Sequence, residues 1–356
     1  MDATSSLPGT RCVIGSIVLE ASSNLESSPL AGADVLVTGG TGFIGSLLVR
    51  GLSSIGCHIS LLVESESSFK SSEHTIHQGD LSSRNILVDA ARDARVVYHL
   101  AAFTDPDAKS REDVERCFTV NVEGTKNLLA SLGPSTEHVV FFSTVYVFGY
   151  QNGEGIDEAY PANPSTPYGR SKLEAEGVVG EWGSKHGVMT TCLRLPLVYG
   201  PGNKGNVLRM IDALARRRFL VIGKGDNKRS MVYVENVVDA AIAVAYKKEA
   251  EGEVFIVTDG TDYSMLDLYQ TISRSLGIRP LPLRVPASIA KLAGVAFDLA
   301  GKASGRDLPY NSQVLNRLTA SLTFSAKKIE EAVGFRPRYD LCEGMAETVR
   351  WYKDKK

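Results

Sequence analysis

The stretch DVLVTGGTGFIGSLLVRGL, Asp34 to Leu52, sets four glycines (Gly39, Gly40, Gly42 and Gly45) between an apolar run and a helix-like one. A GxxGxxG spacing of Gly39, Gly42 and Gly45, straight after a strand and opening a helix, meets three physical needs. It allows a tight turn, close backbone approach to a pyrophosphate, and close helix–strand packing. The helix then offers backbone N–H groups and the positive end of its dipole to phosphates. An ordinary glycine-rich turn is the plain alternative. The strand–turn–helix setting predicts a dinucleotide site, with Phe43 and Ile44 at the helix start.

Outward from this corner, VLVTG, HISLLV, VVYHLAA, HVVFFST and TTCLRLPLVYG read as buried strands, being continuous, apolar and β-branched. SLLVRGLSS, NILVDAARDA, NVEGTKNLLASL and SKLEAEGVVGEW have helical spacing and lie between them. Such alternation predicts an α/β fold with a parallel sheet covered by helices on both faces, whose ligands bind at the carboxyl ends of the strands. GEVFIVTDG reads as one more sheet strand, whereas residues 201–231 and 260–345 read as loop-and-helix insertions. The stretch VPASIAKLAGVAFDLAG has helical period and reads as a core or lid helix, with a membrane-touching helix as the alternative.

Composition bounds the partners. The 356 residues are 43% hydrophobic and 22% charged, with a formal net charge of −2, so nothing points to nucleic acid or an anionic surface. Five separated cysteines (Cys12, Cys57, Cys117, Cys192, Cys342) without a CxxC predict reduced thiols and a cytoplasmic setting, and no metal is expected. No segment reaches the roughly 20 apolar residues of a membrane span. Residues 1–33 are Ser-rich and read as a flexible extension, with CVIGSIVL as a docking strand; Asp2, Glu20 and Glu26 argue against a transit peptide.

An acid about 20 positions past the glycine fingerprint accepts from the adenosine ribose hydroxyls. Glu64 stands there, and a carboxylate repels a 2′-phosphate, which favours NAD and leaves NADP open. Its alternative is a solvated loop glutamate. Asp80, in HQGDLSS, is placed either to accept from the adenine amino group or to cap a helix. In TPYGRSK, Tyr168 and Lys172 are four apart on one helix face, and Thr144 ends the strand HVVFFST. A phenol titrates near ~10, so it serves as a base only if a cation such as Lys172 stabilises its anion. Thr144 could share the substrate oxygen with Tyr168.

TGGTGFIG (38–45), GDL (79–81), HLAA (99–102), NVEGT (121–125), STVYVFG (143–149), YGRSK (168–172) and LRLPLVYGPG (193–202) occur in order. With them the chain resembles an extended short-chain dehydrogenase/reductase of the nucleotide-sugar epimerase and dehydratase group, from about Val35 to the C-terminus. The resemblance implies a Rossmann-type doubly wound sheet over residues 34–200, with 232–259 returning to it. A smaller substrate-binding lobe would comprise 201–231 and 260–356. It implies a catalytic Thr144, Tyr168 and Lys172, with Lys172 also on the nicotinamide ribose. Leu81, Leu100, Ala101, Ala102 and Pro196 would lie along the cofactor, with Asn121 usually structural though also placed at the cofactor site. Arg229 would grip a substrate diphosphate, and Asn203, Lys204 and Asn206 would complete a nucleotide site. Relatives usually form homodimers.

Two positions depart from the family pattern. Val63 stands where NAD-specific members carry Asp, and Glu235-Asn236 replaces a usual Asp-Asp. The expected activity is hydride exchange at C4 of a nucleotide-diphosphate sugar, as an epimerase or a 4-ketoreductase, with Tyr168 as acid and base. A dehydrogenase of a 3β-hydroxysteroid or other apolar alcohol, with residues 285–300 lining a lipid pocket, is the alternative. A dinucleotide sensor without catalysis is the third reading, against which the intact Thr144, Tyr168 and Lys172 count.

Overall fold

A computed structural model of the chain describes residues 29–64, 73–149, 152–280, 283–304 and 312–356. The docking strand expected within residues 12–19, and most of the 1–33 extension, lie outside the described residues. Seven strands form the main sheet: β1 (Asp34–Thr38), β2 (His58–Val63), β3 (Thr75–Gln78), β4 (Val96–His99), β5 (His138–Thr144), β6 (Met189–Leu195) and β7 (Glu253–Ile256). Their order is β7-β6-β5-β4-β1-β2-β3, and every neighbouring pair is parallel.

Alternation along the strands divides the core. Val35, Val37, Leu61 and Tyr98 join one apolar cluster, packed under the helix Phe43–Ile55, while Leu36, Leu62 and Val97 join another with Leu128, Ala175 and Val179. Both faces of β1 and β4, and most of β2, are therefore buried, which is why these segments read as continuous apolar runs, whereas the edge strand β3 is exposed. The chain reverses its direction of travel across the sheet between β1 and β4, where Thr38 pairs with His99. In a doubly wound sheet the ligand crevice opens at the carboxyl side of that point.

A second sheet accounts for much of the rest. It runs Asp262–Ser264, Lys228–Tyr233, Leu322–Phe324, Gly153–Ile156, with Leu197–Tyr199 also beside Lys228–Tyr233. The segment TTCLRLPLVYG, expected as one strand, is thus two: Met189–Leu195 stays in the main sheet and Leu197–Tyr199 crosses to the other. Pro196, which has no N–H for a ladder, makes the break. Residues 201–231, expected as loop and helix, also hold the strand Leu220–Ile222, which pairs with Leu283–Val285. The strand Lys228–Tyr233 straddles the expected boundary at 232, and the helix Val234–Val244 packs on Phe43–Ile55 of the main sheet.

Asn236 supports this junction. Its amide donates to Asp259 at 2.7 Å and to the Tyr339 carbonyl at 2.8 Å, and accepts from the Arg338 and Tyr339 amides. The departure from Asp-Asp therefore serves packing between the helix and the C-terminal segment.

Candidate active site

At the glycine corner, a Cβ on Gly39 (φ +73°) would lie 2.7 Å from the Ala101 amide nitrogen, and one on Gly45 would lie 2.2 Å from the Gly39 carbonyl oxygen. Both positions exclude any side chain within the protein itself. Gly42 differs: its Cβ would meet only the Gly39 oxygen, at 3.1 Å, so the fold alone leaves it nearly enough room. Gly42 caps the helix Phe43–Ile55 with no side-chain cap and no acid in the first turn. Bare backbone facing outward at a helix start fits a pyrophosphate. Phe43 and Ile44 are half-buried behind it, and Phe43 approaches the loop at Gly202.

A buried polar chain supports the corner. Ala101 N–H donates to Thr38 Oγ1 (3.2 Å), Thr38 Oγ1 lies 2.7 Å from His99 Nδ1, His99 Nε2 lies 2.9 Å from Thr125 Oγ1, and Thr125 donates to the Asn121 carbonyl (2.7 Å). Since Thr125 donates onward, His99 must donate from Nε2 and accept at Nδ1 from Thr38. Its imidazole is neutral; burial, then Lys172, lowers its pKa to about 3. Asn121 sits in a π-helical turn, Thr119–Glu123, that opens the expected helix NVEGTKNLLASL. Its amide accepts from Phe103 N–H (2.8 Å) and donates to the Phe103 carbonyl (3.1 Å) and to Ser171 Oγ (2.9 Å). Its amide is committed to protein, and it ties the loop after β4 to the helix bearing Tyr168 and Lys172.

Other expected cofactor residues divide similarly. Glu64 follows the end of β2 and is exposed. Asp80 Oδ1 accepts from Ser82 N–H (2.9 Å), Ser82 Oγ (2.6 Å) and Ser83 Oγ (2.9 Å), which builds the turn before the helix Arg84–Ala91 and lowers its pKa. The Leu81 side chain is buried in the core, within reach of Gly124. Leu100, Ala101 and Ala102 follow β4 half-buried beside the corner, and Pro196 is half-buried after β6.

The expected catalytic residues come together. Thr144 ends β5, and its Oγ1 accepts from Tyr146 N–H at 3.2 Å. Tyr168 lies in the first turn of the helix Pro167–His186, which Thr166 caps through Gly169 N–H (3.0 Å). The Tyr168 hydroxyl is near the side chains of Thr144 and Thr104, and burial raises its pKa well above the phenol value, with both hydroxyls opposing. One turn on, Lys172 Nζ lies 3.9 Å from the centroid of the Phe141 ring. Burial lowers its ammonium to about 7, with Glu176 opposing. Glu176 pairs in a fork with Arg194 at 3.1 and 2.7 Å and accepts from Ser143 Oγ. A buried carboxylate held this way is fixed in place beneath Lys172.

Thr104, Tyr146 and the Glu176–Arg194 pair escaped the sequence reading. Only Glu176, a second i+4 step from Tyr168 on the same helix face, left a signal. Tyr146 packs edge-on against Tyr168, with centroids 5.9 Å apart. Arg229, half-buried on Lys228–Tyr233, feels Tyr146: burial lowers its guanidinium pKa and the phenol opposes. Arg229 is thus brought to the tyrosine side of the site. The Asn203 amide donates to the Val198 carbonyl (2.9 Å) and accepts from Gly205 N–H (2.7 Å), holding its own loop. Lys204 and Asn206 are exposed beyond it, and Asn206 accepts from Arg209 at 3.4 Å.

A glycine corner at the reversal of a doubly wound sheet, with a hydroxyl, a phenol and an amine at neighbouring strand ends, defines a dinucleotide-dependent oxidoreductase of the short-chain type. The chain belongs to the NAD-dependent epimerase/dehydratase family, whose model matches residues 35–258. It is 30% identical over 89% of its length to N-acetyl-alpha-D-glucosaminyl-diphospho-ditrans,octacis-undecaprenol 4-epimerase of Escherichia coli O157:H7, of which 95% is covered. It is 28% identical to UDP-glucose 4-epimerase of Vibrio cholerae, over 89% of this chain and 94% of that one. Among solved structures, MoeE5 in complex with UDP-glucuronic acid and NAD superposes with a TM-score of 0.72 at 25% identity, over 91% of this chain and 100% of that chain.

Proposed function

We propose that this enzyme inverts C4 of a hexose carried on a diphosphate, most simply a UDP-hexose. The carrying observation is that Tyr168, near Thr144 and Thr104, is joined through the edge-on Tyr146 ring to the electrostatic reach of Arg229. Proton transfer and anion binding are thereby adjacent. Residues 34–200 with 232–259 would hold NAD, and 201–231 with 260–356 the substrate. Relatives and neighbours that act on diphosphate-linked sugars or bind UDP-sugars support the substrate class. The free thiols of Cys57, Cys117, Cys192 and Cys342 support a cytoplasmic setting.

Gly39, Gly42 and Gly45 would seat the pyrophosphate of NAD, with Glu64 at the adenosine ribose. NAD, when bound, supplies the acceptor and donor of the C4 hydride. Tyr168 takes the C4 hydroxyl proton during oxidation and returns a proton to that oxygen during reduction. Thr144 shares this oxygen, and Lys172 in its ammonium form favours the phenolate. Epimerisation requires the C4 ketone to turn its other face before reduction, so it must stay held by its diphosphate. Arg229 provides that hold, its fork of N–H donors matching phosphate oxygens.

Calorimetric titration with UDP at saturating NAD tests the reading. Arg229→Ala should weaken UDP by about ten- to a hundred-fold, the worth of a charge-assisted hydrogen bond, and leave NAD affinity unchanged. Absence of UDP binding to the wild-type protein would remove the nucleotide-sugar reading. The apolar-alcohol alternative placed residues 285–300 in a lipid pocket, yet Ile289, Leu292 and Val295 of that stretch are 58%, 72% and 50% exposed.

A further inference from the structure

The helix Ala287–Ser304 is packed inside out. Its small residues face the protein: Ala290 is 7% exposed, and a Cβ on Gly294 would lie 2.9 Å from Leu315 of the helix Ser312–Thr319. Its large apolar residues Ile289, Leu292 and Val295 face outward. At 100° per residue, Ile289 and Leu292 lie on one side with Ala293 and Ala296, while Val295 continues the stripe beyond Leu292. Leu220, on the strand paired with Leu283–Val285 just before the helix, is 51% exposed as well. Soluble surfaces rarely leave such a contiguous apolar stripe in water.

Charge distinguishes what could cover it. Lys224 and Arg284 line one groove with Pro286 and Ala287 at the start of the helix, where Asp226 is the only carboxylate among the described residues, and Lys291 is exposed at the margin of the stripe. An apolar stripe bordered by basic side chains is the pattern of a helix lying in a membrane interface, apolar face toward the acyl chains and cations at the headgroups. No described helix is long and apolar enough to cross a membrane. We propose that Ala287–Ser304 docks this enzyme on an anionic bilayer surface. The docking is independent of the sugar reading, since none of these residues belongs to the catalytic or UDP site.

Flotation of the full-length protein with phosphatidylcholine vesicles, with and without phosphatidylglycerol, tests this. Binding should require the anionic lipid and fall with added salt, as screening demands. Ile289→Glu with Leu292→Glu should reduce partitioning by roughly tenfold or more, with NAD affinity kept as the check on folding. Lys224→Ala and Arg284→Ala should each reduce it by roughly fivefold. Failure to bind anionic vesicles, equal binding to neutral ones, or unchanged binding of the double glutamate variant would overturn the proposal. So would a wild-type dimer that the double variant splits without any vesicle binding, which would assign the face to a second copy.

Discussion

Tyr168 and His99 show how single side chains divide the work of the site. Tyr168→Phe removes only the oxygen that we propose moves the proton, while Thr144, Lys172 and the helix around them should keep their places. Turnover should drop by ~10²–10⁴-fold with NAD affinity retained; kcat within a few-fold of wild type would contradict the assignment. His99 carries no chemistry, and its effect should appear in stability. The unfolded chain takes up a proton at His99 near pH 6.5, whereas the folded imidazole resists protonation to about 3. Unfolded molecules therefore bind more protons as pH falls through that window, and His99 alone should cost about 1.4 kcal/mol of stability per pH unit. Denaturant titrations from pH 6.5 to 4 should show a shallower decline in His99→Gln; an identical slope would contradict the buried neutral chain. Thr144, Tyr168 and Lys172 were legible in the sequence because their order and spacing are local. Thr104 and Tyr146 were not, because a fold that spans the sheet brings them to Tyr168.

At the scale of elements, the glycine corner separates folding from binding. Gly45 has no room for a Cβ whatever is bound, so Gly45→Ala should disturb the corner itself. Gly42 nearly has room within the protein, so Gly42→Ala should leave the melting temperature close to wild type yet weaken NAD strongly. Differential scanning calorimetry with and without NAD would separate the two, and full NAD affinity in Gly42→Ala would reduce the corner to a turn. At the end of β2, Glu64→Arg should narrow or reverse a preference for NAD over NADP, as guanidinium pairs with the 2′-phosphate that carboxylate repels. The inner strands of the main sheet were legible because burial on both faces leaves unbroken apolar runs, which the exposed edge strand Thr75–Gln78 lacks. Asp262–Ser264 and Leu322–Phe324 were not: each has three residues, too few to display a period, and Leu322–Phe324 pairs with the distant Gly153–Ile156.

Across the whole molecule, the main sheet is set by local sequence and the second sheet by long-range pairing. Strand Lys228–Tyr233 bridges them, with Arg229 on the tyrosine side and the helix Val234–Val244 returning to the main sheet. One activity should need both halves. The most direct measurement is incubation of the purified protein with NAD and UDP-glucose or UDP-N-acetylglucosamine, followed by chromatographic and proton NMR identification of the sugar. The account predicts the C4 epimer, still joined to UDP, formed without net consumption of NAD and lost in Tyr168→Phe. No change at C4 of any UDP-hexose, together with NAD-dependent oxidation of an apolar secondary alcohol through Tyr168, would contradict it.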